Sequence, residues 1–305
     1  MQILSWNMRS VASLHNTTET EALTVVTAVM GEFDLIAVYE VSNSEEGKKA
    51  VKNLVKALSK ASNRKYRYFV HANIVQLTTE NENDDDMVAV IWDEGLVTVT
   101  DTTDIRRWQY STMRYDTLRA PVYFNVKEAL TTIEREFSAW HAPSPGKKKK
   151  TEQDNDLLIA QQWKAITHNA EDDAFDPLTT IVMGDFNADL SERGTRERGR
   201  FLKKQITMGS TTLVQPPSIL GRRITDTKDF RTGNLYDQFF VDTASTNKVL
   251  KAGPSGIYDV INRLVNRLNP LSDPSLARYN KPGLAYDFYL HHISDHLPVA
   301  LYVTL

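Results

Sequence analysis

Thr180-Ile181-Val182-Met183-Gly184-Asp185-Phe186-Asn187 is a short apolar run that ends in a carboxylate and a carboxamide. A compact apolar run of this kind is typical of a buried strand, and side chains two residues apart at its exit point the same way. Asp185 can accept a proton or bind a hard cation, and the amide of Asn187 offers one acceptor and two donors. Read by itself, the stretch also fits a plain Gly-Asp turn. It predicts a buried strand whose end carries polar chemistry.

A second pair of polar groups lies directly before the last apolar run of the chain. Asp295 and His296 precede residues 297–303, which we predict as a strand. In a bend, both side chains can turn toward one cleft, where the carboxylate can ligate a metal and the imidazole can move a proton near neutral pH. An Asp-His pair is also common in surface turns. Its place at a strand entrance favours the functional interpretation.

Three more polar residues stand at the ends of predicted strands. Asn7 follows the apolar residues 3–6, Glu40 follows residues 35–39, and His141 follows residues 137–140. Polar groups at strand ends cluster where open α/β sheets bind their ligands. Each residue alone is equally compatible with a capping, turn or structural role, so the interpretation depends on the whole set.

Hydrophobic periodicity gives the order of elements along the chain. Helical spacing is found in residues 22–30, 51–58 and 157–166. Strands are predicted at 2–6, 34–40, 66–71, 87–92, 96–99, 121–126, 137–141, 180–184, 235–242 and 297–303. Polar or proline-rich loops are predicted at 81–86, 144–156, 193–200 and 271–283. We find no internal repeat and no long linker, so residues 1–305 are expected to form one domain.

The composition of the chain limits the partners that its charge can attract and the side chains that can bind a metal. The chain has 305 residues, a formal net charge of -3 and no cysteine. No global positive field is available to hold nucleic acid or an anionic membrane, so any such partner must be held locally. Disulfides and cysteine zinc sites are excluded, which leaves oxygen and imidazole as metal ligands. With no secretory leader or membrane-spanning run in the sequence, we expect a cytoplasmic protein with no membrane partner and no evident protein partner.

The whole constellation resembles the endonuclease/exonuclease/phosphatase superfamily. The residues that carry the resemblance keep one order along nearly the whole chain: Asn7, Glu40, His141, Asp185-Phe186-Asn187 and Ser294-Asp295-His296. Within the superfamily the blocks are most similar to the deoxyribonuclease I group. The resemblance implies an α/β fold of two packed mixed β-sheets flanked by helices, a four-layer sandwich with the cleft at one end.

The resemblance also implies a division of roles among the site residues. Glu40 would be the main ligand of Mg²⁺ or Mn²⁺, with Asn7 and Asp295 as further metal ligands. Catalytic roles fall to His141, His296, Asp185, Asn187, Asp86 and Asp237, and substrate contacts fall to Arg9, Arg119 and Tyr236. Asp86 would orient His141, although the family carries a glutamate there, and Asp237 would orient His296. His296 is the favoured general base, and the opposite assignment of the two histidines stays open.

Several positions depart from the pattern that the resemblance implies. Ser42 replaces an arginine that the deoxyribonuclease I group extends toward DNA. Asp226 and Thr232 remain from a calcium-binding loop, but Lys228 and Phe230 occupy ligand positions between them, which argues against structural calcium. The run of four lysines at residues 147–150 is either a solvated loop or an arm that contacts DNA.

The expected function is metal-dependent hydrolysis of phosphodiesters, with DNA as substrate and nicking by an endonuclease as the first choice. A phosphatase or phosphodiesterase for a small or lipid phosphate substrate is the alternative, because its chemistry uses the same ligands. A catalytically silent binding protein of the same fold is disfavoured, since every position of the metal and histidine set carries a competent side chain.

Overall fold

The computed structural model describes residues 1–8, 11, 19–72, 74–75, 86–102, 118–119, 121–132, 134–141, 179–186, 210–212, 237–242 and 256–303. The strands in this part are β1 (Gln2–Asn7), β2 (Leu35–Ser42), β3 (Tyr66–Ala72), β4 (Ile74–Val75), β5 (Asp86–Asp93), β6 (Val97–Asp101), β7 (Leu118–Arg119), β8 (Val122–Glu128), β9 (Glu134–His141), β10 (Thr179–Asp185), β11 (Ser210–Thr212), β12 (Asp237–Asp242), β13 (Gly256–Ile257) and β14 (Val299–Tyr302). The helices are α1 (Glu19–Met30), α2 (Glu45–Ser62), α3 (Val260–Val265) and α4 (Pro282–His292), with a 3-10 helix at Pro274–Tyr279.

These strands form two six-stranded sheets, and β4 pairs with β7 apart from them. The first sheet has the order β13-β14-β1-β2-β5-β3, and the second has the order β11-β12-β10-β9-β8-β6. Both are mixed, because β1 runs parallel to β2 and β10 runs parallel to β9 while the other pairs are antiparallel. The predicted fold class of two mixed sheets flanked by helices is confirmed.

Two apolar cores lie on opposite faces of the first sheet. In β2, Leu35, Ala37 and Tyr39 join the core between the two sheets. Ile36 and Val38 join the other core, which the helices cover. A strand that is buried on both faces needs an uninterrupted apolar sequence, and this explains why residues 35–39 do not alternate with polar ones.

Helix α2 shows how local sequence sets the helical layer. Its N-cap is Ser44, whose hydroxyl accepts a hydrogen bond from the amide of Gly47 at 3.0 Å. Its C-cap is Asn63, in the left-handed conformation that asparagine tolerates. The apolar residues of the predicted helical spacing are the ones it buries: Val51, Leu54, Val55 and Leu58. In the part of the chain that is described, no helix is long and apolar enough to cross a membrane.

One predicted loop is wrong in part. Residues 271–283 contain the 3-10 helix and the first two residues of α4. Pro274 and Pro282 stand at the starts of these helices, where a proline has no amide hydrogen to satisfy and its fixed φ suits the helix. The prolines therefore begin helices here. The predicted helix at 157–166 and the predicted loops at 144–156 and 193–200 lie outside the described residues.

The strand directions bring several strand ends to one end of both sheets. The parallel strands β1 and β2 end there, as do β9 and β10. The antiparallel strands β12 and β14 begin there, since Asp237 pairs with Asp185 and Val299 pairs with Ser5. The fold therefore gathers at one end the polar residues that the sequence spreads over most of its length.

Candidate active site

Asn7 links the two sheets at this end. It is the last residue of β1 and is fully buried. Its Nδ2 donates to Oε1 of Glu40 at 2.9 Å and to Oδ2 of Asp185 at 3.0 Å. One amide therefore fixes two carboxylates that come from different sheets. The nitrogen of Asn7 faces these carboxylates, so a role of its oxygen as a metal ligand stays a prediction.

Glu40 stands at a β-bulge with a left-handed backbone. Its φ is +57°, and the register between β2 and β5 shifts between Val38 and Val41. A residue with a Cβ is disfavoured in this region of φ, and a bulge redirects the side chain at its position. The sequence predicted a strand over residues 34–40, whereas the strand spans Leu35–Ser42. The side chain of Glu40 is 29% exposed, so the carboxylate is open to solvent while it still contacts Asn7.

Asp185 lies between the two histidines. The carboxylate is 1% exposed, and its Oδ2 is 3.7 Å from Nε2 of His141 and 3.8 Å from Nδ1 of His296. His141 pairs with Asp185 in the parallel ladder of β9 and β10, and its Nε2 is also 3.7 Å from Oε1 of Glu40. Glu40, Asp185 and His141 therefore form one compact group of two carboxylates and an imidazole.

Gly184 allows β10 to approach β9 closely beside this group. A Cβ at position 184 would lie 1.8 Å from the carbonyl oxygen of Trp140. The residue that precedes Asp185 therefore has to be a glycine, because the clash would be with backbone that cannot move aside. Packing within the sheet therefore explains the glycine in the predicted motif.

Asp237 holds His296 by a buried hydrogen bond. Oδ2 of Asp237 is 2.7 Å from Nδ1 of His296, and Asp237 is fully buried. Burial alone lowers the pKa of His296, but the negative charges of Asp237, Asp185 and Asp295 outweigh it and raise the pKa to about 10. In the metal-free protein, the imidazole therefore carries its proton at neutral pH.

Ser294 fastens the segment that carries Asp295 and His296. Its hydroxyl donates to the carbonyl oxygen of Asn7 at 2.6 Å and accepts from the amide of His296 at 2.9 Å. Ser294 is 1% exposed, so these bonds are shielded from water. The sequence placed Ser294 in a motif without a role, and the structure makes it the link between this motif and β1.

The donor set near Asn7 fits a hard divalent cation. Glu40 and Asp185 bring carboxylate oxygens to the same amide, and Mg²⁺ and Mn²⁺ prefer such ligands. A buried carboxylate such as Asp185 is also costly without a compensating positive charge. Asp185, Asp237 and His296 form a second group, whose ligand atoms lie within 4.8 Å of one another. Since Nδ1 of His296 is already bonded to Asp237, the oxygen set around Glu40 is the better cation site.

The predicted site residues are described to different extents. The structure brings together Asn7, Glu40, His141, Asp185, Asp237 and His296. Asp295 lies close enough to raise the pKa of His296. Asp86 is described as the first residue of β5, opposite Ser42, and Arg119 as a position in β7. Their roles stay predictions.

Other predicted positions lie outside the described residues. They are Arg9, Asn187, Tyr236, the lysines at 147–150, the arginine-rich residues 193–200, and the positions 226, 228, 230 and 232 that were compared with a calcium-binding loop.

Sequence reasoning missed one aromatic neighbour of the site. Tyr39 is fully buried, its ring centroid is 6.4 Å from that of His141, and its hydroxyl is 3.2 Å from Oγ of Ser5. Burial, with the nearby charges of Asp237 and Asp185, raises the pKa of Tyr39 far above its ordinary value, so the hydroxyl keeps its proton. Its position directly before Glu40 in an apolar run made it indistinguishable from an ordinary core residue.

The comparisons with known proteins support the fold. No family model and no curated protein matches the sequence. An endonuclease/exonuclease/phosphatase family protein from Leptotrichia buccalis has a similar structure, with 16% identity, 100% of both chains covered and a TM-score of 0.56. An AP endonuclease from Archaeoglobus fulgidus has 12% identity over 100% of this chain and 99% of its own, with a TM-score of 0.56.

A 3′ phosphatase from Neisseria, solved with a product DNA hairpin, is also similar in structure, with 11% identity, 100% of both chains covered and a TM-score of 0.53. At these identities the likeness concerns the fold. The chain has the fold of the endonuclease/exonuclease/phosphatase proteins, and the resemblance read from the sequence is confirmed at that level. The closer likeness to deoxyribonuclease I stays a prediction.

Proposed function

We propose that this protein is a divalent-metal-dependent phosphodiesterase that nicks DNA. The observation that carries the proposal is the amide of Asn7, which holds Glu40 and Asp185 together at 2.9 and 3.0 Å. Around these carboxylates stand His141 and the bonded pair of Asp237 and His296. Hydrolysis of a phosphodiester needs positive charge beside the phosphoryl oxygens, a base that takes a proton from water, and a proton or hydrogen bond for the leaving oxygen.

Glu40, Asp185 and Asp295 are the proposed carboxylate ligands of the cation, and Asn7 orients the first two. When bound, Mg²⁺ or Mn²⁺ would polarise the phosphoryl oxygens and offset the negative charge that raises the pKa of His296. The rest of the chemistry belongs to side chains of this chain.

His296 is the proposed general base. Asp237 holds its Nδ1 at 2.7 Å, which fixes the ring orientation and leaves Nε2 as the atom that can take a proton from water. His141 is the proposed partner of the phosphate or of the leaving oxygen. Its Nε2 lies 3.7 Å from Oε1 of Glu40 and 3.7 Å from Oδ2 of Asp185.

DNA is the proposed substrate, with Arg9, Arg119, Asn187 and Tyr236 as contacts to the phosphate chain. Two of the structures with the same fold are named as an AP endonuclease and as a phosphatase bound to a DNA hairpin. The net charge of -3 requires that these contacts be local, since the whole chain does not attract a polyanion.

A plasmid-nicking assay with a magnesium series and with EDTA tests the proposal, next to a panel of phosphomonoesters that release phosphate. We expect nicking that EDTA abolishes and magnesium restores. Glu40→Gln should lose nicking by orders of magnitude, whereas Glu134→Gln, an exposed carboxylate at the far end of β9, should not. Release of phosphate from monoesters without nicking would favour the phosphatase alternative. Full nicking by Glu40→Gln in EDTA would overturn the metal site.

A further inference from the structure

Tyr289 holds both sides of the segment that carries His296. It lies in α4 and is fully buried, and its hydroxyl donates to the carbonyl oxygen of His296 at 2.6 Å. Its own carbonyl oxygen accepts from the amides of Ile293 and Ser294 at 2.9 and 3.0 Å. One residue therefore anchors the start of the segment by its backbone and the end by its side chain.

Trp6 connects Tyr289 to the strand that presents Asn7. Its Nε1 donates to the hydroxyl of Tyr289 at 3.2 Å, and the two rings are stacked with an interplanar angle of 8°. Trp6 directly precedes Asn7 in β1, and the hydroxyl of Ser294 bonds to the carbonyl of Asn7. The segment that carries His296 is therefore connected to β1 twice. One connection runs through Ser294 and the other through Tyr289 and Trp6.

We propose that Tyr289 is a positioning residue, which sets the imidazole of His296 against Asp237 by fixing the carbonyl group of His296. This inference rests on the proposed role of His296 in proton transfer. The hydroxyl is a permanent donor, because burial keeps the pKa of Tyr289 well above its ordinary value. Without it, the buried carbonyl of His296 loses this partner, and the end of the segment is held by fewer bonds.

The chain offers a matched control for a merely structural effect. Tyr66 is also buried, and its hydroxyl donates to a backbone carbonyl, that of Phe33, at 2.9 Å. Phe33 lies at the opposite end of the first sheet, beside the start of β2. Tyr289→Phe and Tyr66→Phe therefore delete the same group from the same kind of bond, and only the first deletion touches the segment of His296.

Two readouts separate positioning from stability. The first is the kcat and KM of phosphodiester hydrolysis, and the second is the NMR signal of the Nδ1 proton that His296 shares with Asp237, recorded in EDTA. Tyr289→Phe should lower kcat roughly 10- to 100-fold with little change in KM, since a misplacement of about 1 Å costs about that much. It should also move the Nδ1 signal. Tyr66→Phe also removes a buried hydroxyl donor, and it should leave kcat and the signal at the wild-type values.

The NMR signal keeps this inference separate from the proposed function. If the wild-type protein hydrolyses no phosphodiester, the proposed function fails, and the Nδ1 signal still decides the role of Tyr289. If Tyr289→Phe does not fold, Trp6→Phe removes the donor to the Tyr289 hydroxyl and should move the same signal to a smaller extent. An unmoved signal in the folded variant, or equal changes in Tyr66→Phe, would overturn the inference.

Discussion

Asn7 and Asp185 are 178 positions apart in the sequence, and the Nδ2 of Asn7 donates to Oδ2 of Asp185 at 3.0 Å. The bond joins the end of β1 in one sheet to the end of β10 in the other. The same nitrogen reaches Glu40. The site is therefore built across the interface of the two sheets, and its geometry depends on how tightly the apolar core between them is packed.

The left-handed backbone of Glu40 predicts a conflict between stability and function. A non-glycine residue in this conformation costs about 1–2 kcal/mol, which glycine avoids. Glu40→Gly and Glu40→Ala both lose the carboxylate and its bond to Asn7, so they differ mainly in the backbone. In urea unfolding with EDTA, we expect the glycine variant to be more stable than the alanine variant by about 1 kcal/mol. Equal stabilities would mean that the φ of +57° is not retained in solution.

The close packing at Gly184 predicts that one added methyl group strongly lowers the stability of the protein. In Gly184→Ala the new Cβ would lie 1.8 Å from the carbonyl oxygen of Trp140. Gly256 has a similar φ, +155° against +158°, but nothing lies within 4 Å of a Cβ placed there. We expect Gly256→Ala to cost about 1 kcal/mol through its φ, and Gly184→Ala to cost about 3 kcal/mol or more. Denaturant unfolding of both variants measures the difference, and similar losses would contradict the packing explanation.

The sequence predicted many of the strands because their signal is local, whereas the two sheets were implied by the resemblance. The continuous apolar run at 35–39 and the run that leads to Gly184 each indicate a strand that is buried on both faces. The direction of each strand then decides at which end of the sheet its last, polar residue lies. That Asn7, Asp185 and His141 meet at one end was implied by the resemblance, and the parallel pairings of β1 with β2 and of β9 with β10 account for it.

Other features could not be read from the sequence, because they depend on long-range contacts. The bulge at Glu40 arises from the pairing of β2 with β5, and nothing in residues 35–42 marks it. Helix α4 was not predicted, because apolar residues occur on all its sides, so that no single apolar stripe marks it, and the prolines of residues 271–283 were interpreted as marking a loop. Tyr289 looks like core from sequence, and only its contact with the carbonyl of His296 gives it a further role.

The two histidines predict a coupled loss of activity. His141→Ala and His296→Ala should each lose about 100-fold or more in kcat, the usual size of a general acid or base contribution. The double variant should lose much less than the product of the two losses if both act in one step. His291→Ala is the control, since His291 is exposed at the end of α4, five positions before His296. A wild-type kcat in His141→Ala would show that His141 has a structural role only.

The pair of Asp237 and His296 predicts a pH dependence of the metal-free protein. The pKa of His296 is raised from its ordinary 6.5 to about 10, so the folded state holds a proton that the unfolded state releases between these values. The stability that comes from this pair is complete below about pH 6.5 and is lost as the pH rises through about 10. Asp237→Asn removes a charge that raises the pKa, so the ring should titrate at lower pH.

Imidazole NMR titrations and urea unfolding in EDTA, on the wild-type protein and on Asp237→Asn, measure both effects. The difference in unfolding free energy between the two proteins should shrink from pH 6.5 to pH 10, because His296 of the wild-type protein loses the proton that its charged bond to Asp237 stabilises. Added magnesium should lower the pKa of His296 in the wild-type protein, because positive charge beside Asp185 opposes the carboxylates that raise it. A wild-type pKa near 6.5 in EDTA would show that the bond to Asp237 is not formed in solution.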